Sequence, residues 1–404
     1  MKYWITSLLF LLIATSAPAE DDAATDGARH VHNGNEPAHE SVRVDPVEIW
    51  RCGGDEDSEV FFGLVSDVVV DDDGLFYVLD TKLSDVKVLS PSGEYLRTIG
   101  RSGDGPGEFR SALSLVILPD ASIGVAQSFP SKLIGLLPGG DPRPNIDVES
   151  GTTGQMLAMK RVLRGGPNLV VSIFQTEINE EAQNVVIDSR LQQLALDGSL
   201  GHIYYRQEVT LTPGKPFFER DFARLECPFD VSPEGRVVVA PRPDQYLFEI
   251  HDPDNGSTLV VHKPNENWKR TERAQYFVMN DMRLIGQGMG VLDIRLEEEE
   301  QEILDLQWRQ DGTIWVRTGR ASYEHAPGEF RYDVFTADGK FDRTVHLFVE
   351  GDANLDLLKF VGDDRVLLIR GFRDALHGMA GIKRPWMEDE AASEPGVICY
   401  RFEI

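Results

Sequence analysis

VSDVVVDDDGLFYVLDTKLSDVKVLSPSGEYLRTIG, Val65 to Gly100, holds four short β-rich segments: Val65 to Val70, Leu75 to Asp80, Asp85 to Ser90 and Glu94 to Ile99. DDDG and SPSG fill the first and third junctions. Glycine and short polar residues belong there because the central residues of tight hairpins take positive φ. The stretch predicts a four-stranded antiparallel meander.

The same grammar returns along the chain. Phe229 to Lys263 carries SPEG and DPDNG at the two turn positions, and ILDLQWRQDGTIWVRT followed by RYDVFTADGKFDRTVHLF repeats it from Ile303. Looser copies start near Ser114, Lys160 and Leu357, with first-hairpin turns at Gly74, Ser122, Gly166, Gly235, Gly312 and Asp363. A repeat of about 40 to 50 residues with loop insertions gives such spacing. One meander leaves both faces bare, whereas copies packed radially bury them. The chain is therefore read as all-β, a six-bladed β-propeller of four-stranded antiparallel blades.

The unit from Leu357 has only three strands before Ile404. Its partner is sought at the other end, where VEIWRCGGDEDSEVFFG, Val47 to Gly63, lines up with EYLRTIGRSGDGPGEFR, Glu94 to Arg110. An N-terminal strand is expected to close the ring and cover the open sheet edge. GRSGDGPGEF, Gly100 to Phe109, then carries the chain from the rim of one blade to the centre of the next. GRASYEHAPGEF, Gly319 to Phe330, follows a second strand, so its likeness to the first phrase is coincidental. Neither is a phosphate cradle, which needs a strand before and a helix after its glycines.

CPFDVSPEGRVVVAP, VLDTKLSDVKVLSPSGEYLRTIG and GRSGDGPGEF resemble six-bladed propellers of the NHL-repeat type, in particular exported bacterial 6-bladed β-propellers. The inter-blade Pro-Gly-Glu-Phe phrase and Asp80 at the end of a second strand are the shared features. The resemblance implies an interaction platform or, in lactonase-like and lyase members, a holder for a divalent metal at the central tunnel. No set of His, Asn and Glu recurs at matched blade positions, so no catalytic residue carries over.

Residues 1–19, MKYWITSLLFLLIATSAPA, place Lys2 before a short apolar run and end in A-x-A, the pattern of a cleaved secretory signal. The chain is expected to work outside the cytoplasm, periplasmic or secreted, with no membrane span. Residues 20–46 are poor in large apolar side chains and read as a flexible acidic leader; residues 47–404 form the propeller. His30, His32 and His39 lie in that leader. An H-x-H pair is a metal-ligand spacing, but no Cys or further ligand stands at a defined distance, which favours a solvated linker. Residues 266–290 have mixed helical spacing and predict one helical insertion, followed by an acidic run, Glu297 to Glu300, read as a solvated approach to the next strand.

Forty Lys plus Arg against 67 Asp plus Glu give a net charge of −27, which argues against nucleic acid as a partner. His202, His251, His262, His325, His346 and His377 are scattered, and the acid-rich turns lack calcium-loop spacing. No cofactor is expected, and Ca or Zn enters only under an enzymatic reading.

Ligand sites in propellers occupy the tunnel mouth, where inner strands begin. The residues there are read as Asp67, Ser114, Arg161, Glu226, Asp305 and Lys359, a mixed set suited to a protein, peptide or small polar ligand. The expected function is an exported, monomeric, non-catalytic binding or scaffold propeller. The alternative is a metal-dependent hydrolase or lyase of the lactonase kind. Of the three cysteines, Cys52 and Cys399 fall on adjacent strands of the closing blade, with Trp50 opposite Cys399, so a disulfide between them needs a shift in register. Cys227 is expected to stay a buried thiol.

Overall fold

The computed structural model describes residues 27–54, 58–148, 156–179, 181, 184–289, 293–319, 328–382 and 393–404; the expected signal sequence lies outside them. The fold is a six-bladed β-propeller. In blade one the strands Val65–Val70, Phe76–Asp80, Asp85–Leu89 and Tyr95–Ile99 pair antiparallel in sequence order. The same order holds in blade two (112–147), blade three (156–211), blade four (229–262) and blade five (303–348). Blade six takes three strands from 357–401 and its outer strand from Val47–Gly53.

Propeller geometry replaces a single core with six. Phe76–Asp80 and Ile123–Gln127 are buried along their whole length because a neighbouring blade covers each face. Tyr77, Val86, Val88, Leu115, Val125 and Ile134 join blades one and two. Trp50, Phe62, Phe76, Leu367 and Cys399 join blades six and one, and comparable clusters fill each remaining gap. Between blades four and five the packing includes a buried ionic knot. There Asp333 accepts from Lys263 Nζ (2.9 Å), Tyr246 Oη (2.9 Å) and Thr344 Oγ1 (3.1 Å).

The crossing phrase is built as its residues suggest. Glu108 accepts from the Gly105 N–H (2.9 Å) and from Arg101 Nε (2.7 Å). Phe109 is fully buried against Gly100, where a Cβ would stand 2.4 Å from the ring and φ is +70°. Asp80 is likewise structural: its buried carboxylate accepts from the N–H groups of Gly63 (2.6 Å), Leu64 (3.1 Å) and Leu83 (2.9 Å), holding the crossing from blade six into blade one.

Ring closure follows the expected register. Trp50 is opposite Cys399 and Cys52 opposite Val397, with a bulge between Glu48 and Trp50. Cys52 and Cys399 are thus diagonal neighbours on one face, a relation that holds Cβ atoms about 7–8 Å apart, beyond the ~3.5–4.5 Å of a disulfide. All three cysteines are free. Burial pushes the Cys52 and Cys399 thiols up to about 11. Cys227 is half-buried rather than fully buried.

The leader departs from expectation. Arg29–His32 pairs in parallel with Thr258–His262, and Val42–Val44 with Phe341–Phe348, so blades four and five have five strands. Between the two, Asn33 donates to the carbonyls of His262 (3.2 Å) and Gly339 (2.9 Å) and accepts from the Phe341 N–H (2.9 Å). A polar segment can do this because an open sheet edge is recognised through main-chain groups, and only Val31, Val42 and Val44 need contact apolar surface.

Candidate functional site

Inner strands begin at one end of the tunnel, and a recurrent bulge shapes that end. The ladder with the second strand slips by one residue between Val65 and Asp67, Ala112 and Ser114, Met159 and Arg161, and Ile303 and Asp305. An extra residue in one strand re-aims the side chains beside it. In four blades it falls immediately before the residue read as tunnel-facing. Asp67, Ser114, Arg161, Asp305 and Lys359 line one cavity of about 340 Å³, joined by Lys160, Gln307 and Arg317.

Asp67 organises this mouth. Its carboxylate accepts from Lys359 Nζ, from Ser114 Oγ (3.0 Å) and from the N–H groups of Leu115 and Val68 (both 2.8 Å). Arg161 donates to the Phe229 carbonyl (2.9 Å) and lies over the Phe229 ring. Gln307 Nε2 donates to Asp305 (2.6 Å). Burial pushes the Asp230 carboxyl above the usual range, opposed by the nearby Arg161 charge and the hydrogen bond from the Trp308 N–H.

Glu226 is the exception. It caps the C-terminus of helix α1 (Glu219–Leu225) and pairs with Lys160 at 2.7 Å, off the inner strand. The first-hairpin turns close on the carbonyls of Asp71, Leu118, Ser232 and Arg309. Counting back four residues recovers Asp67, Ser114 and Asp305, and in blade four it gives Pro228. That count was the available signal. Arg317 was missed because it sits on a second strand.

Three helices among the described residues line a second cavity beside the mouth. The predicted insertion is α2, Glu272–Met289; α3 is Phe372–Met379. Asp281 of α2 takes Arg373 (2.9 Å) and His377 Nε2 (2.6 Å) of α3, with Phe277 buried beside them. Blade three is elongated, and Ile187 and Val209 on its strands pack with Leu225 of α1 and Met282 of α2. The acidic run is partly structural: Arg270 is fully buried between Glu219 (2.6 Å) and Glu300 (2.7 Å). This second cavity, of about 320 Å³, shares Leu304, Arg317 and Leu357 with the tunnel mouth. The two cavities are thus adjacent.

A protein family described as 6-bladed beta-propeller matches residues 57–135, blade one and three strands of blade two. No curated protein matches the chain. Among solved structures, a member of the DUF4221 family from Bacteroides vulgatus is similar at 13% identity, covering 89% of this chain and 98% of its own, with a TM-score of 0.50. A Bacteroides fragilis protein described as a candidate exported protein shares 10% identity over 93% and 99% of the two chains, with a TM-score of 0.47. A calcium-binding regucalcin from Agrobacterium tumefaciens shares 12% over 90% and 96%, with a TM-score of 0.42. These likenesses concern the fold. No helix among the described residues is long and apolar enough to cross a membrane.

Proposed function

We propose that the protein is an exported binding propeller that takes a small polar ligand with an acidic group in its tunnel mouth, without turnover. The observation that carries this reading is the fourfold bulge, which turns Asp67, Ser114, Arg161 and Asp305 toward one cavity with Lys359. Arg161, Lys359 and Arg317 supply cationic donors, and Asp67 and Asp305 give the site polarity and orientation. The volume falls in the range of small-molecule pockets. The acids are already engaged, Asp67 by Lys359 and Ser114 and Asp305 by Gln307. Carboxylates so engaged favour binding over metal-assisted hydrolysis or elimination.

The test is calorimetry and thermal shift on the purified chain with succinate, glutamate and Gly-Glu as probes. At least one probe should raise the melting temperature in proportion to the logarithm of its concentration. Arg161→Gln should weaken that probe at least tenfold, its thermal shift being read against the variant's own ligand-free melting temperature because the Phe229 carbonyl contact is lost as well. Binding that is indifferent to Arg161→Gln, or no binding by any probe alongside lactone hydrolysis, would overturn the reading.

A further inference from the structure

Away from the tunnel, three imidazoles gather on the rim of blade four. His30 and His32 are two residues apart on Arg29–His32, so both project from one face. The parallel register sets His32 beside His262 and His30 beside Val260. His30 Nδ1 and His262 Nε2 are 3.0 Å apart. The rings lie nearly parallel, with centroids at 4.5 Å for His32 and His262, 5.3 Å for His30 and His262, and 6.3 Å for His30 and His32. One nitrogen from each ring falls within 4.8 Å of the other two. Nitrogens at about 2.0–2.1 Å from a tetrahedral ion stand roughly 3.3 Å apart. Side-chain rotation of the exposed His30 and His32 covers that difference.

We propose that His30, His32 and His262 bind one divalent transition-metal ion of the zinc class, which fastens the N-terminal strand to blade four. An all-imidazole set suits zinc, copper or nickel and disfavours calcium and magnesium, which take oxygen. The fourth position faces solvent and takes water. Glu249, on the adjacent strand opposite Val260, lies on the same face and supplies a nearby carboxylate. The ligands come from segments 232 residues apart, so the ion acts as a cross-link between chain regions that otherwise meet through main-chain hydrogen bonds. This site is separate from the proposed ligand site, and each stands if the other fails.

The full chain, stripped with a chelator, is titrated with zinc chloride by calorimetry and by competition with a chromophoric chelator. One zinc per chain, a zinc-dependent rise in melting temperature and three nitrogen ligands at about 2.0–2.1 Å by X-ray absorption are expected. His262→Ala and the exposed-strand double variant His30→Ala/His32→Ala should each weaken zinc at least tenfold and abolish the thermal shift. The melting temperature of the stripped protein should not change. His346→Ala, on blade five, should leave both readouts intact. If His262→Ala fails to fold, the double variant decides alone. Absence of stoichiometric zinc in the wild type, or unchanged binding in the double variant, would overturn the proposal.

Discussion

Lys359 of blade six donates to Asp67 of blade one across 292 residues of sequence. The same carboxylate accepts from Ser114 and Leu115 of blade two, so one side chain ties three blades. Asp67→Ala strands a cation and two buried N–H groups together, and a loss of about 3 kcal/mol is expected. Lys359→Met keeps the Asp67 contacts to blade two and should cost less, about 1 kcal/mol. Urea unfolding compares the two; equal losses would remove Asp67 from its central place.

Residues 29–44 should now matter to stability. Deleting residues 27–44 strips the added strands from blades four and five and should lower the melting temperature, since each lost ladder bond is worth ~0.5–1.5 kcal/mol. Deleting residues 27–54 also removes the closing strand with Trp50 and should unfold the ring outright. Equal melting of the first truncation and the intact chain would show that the parallel strands add nothing.

Asp230 supplies a pH dependence. Burial raises its folded-state pKa above the ~3.9 of an unfolded Asp. Its contribution is therefore fully present below that value and is lost as pH rises through the folded pKa. Asp230→Asn, which keeps an acceptor for the Trp308 N–H, should match the wild type near pH 4 and exceed its melting temperature at pH 7. A variant less stable at pH 7 would mean that the Arg161 charge outweighs burial.

The cysteines give a chemical test. In the native protein Cys52 and Cys399 are buried with thiols pushed up to about 11, so both should resist alkylation at pH 8. After unfolding without reductant all three thiols should alkylate. A peptide linking Cys52 to Cys399 would contradict the diagonal register.

Fold and ring closure were readable because the same turn chemistry recurs between short strands, whatever the loop insertions, and because an odd strand count in the last unit demands a partner. Asp67, Ser114 and Asp305 were readable because each sits four residues before the carbonyl on which its hairpin turn closes, whereas Arg161 and Lys359 were read from the opening of their own strands. Glu226 was misplaced because it caps α1, which ends at Leu225, and the inner strand of blade four starts only at Phe229. The paired leader was illegible because edge pairing uses the backbone, which every residue has. His262 could not be matched to His30 and His32 by spacing, since parallel register, not sequence distance, brings them together.

The pairing of Val47–Gly53 with Gly396–Arg401 also sets an order of events in time. The closing strand waits for the one made more than three hundred residues later, and Arg29–His32 waits for Thr258–His262. Contacts of such long separation slow folding. During synthesis the early blades can form their own meanders, but the ring stays open at one seam with its closing strand unpaired. A chain held at the seam too long offers an unsatisfied edge to its neighbours.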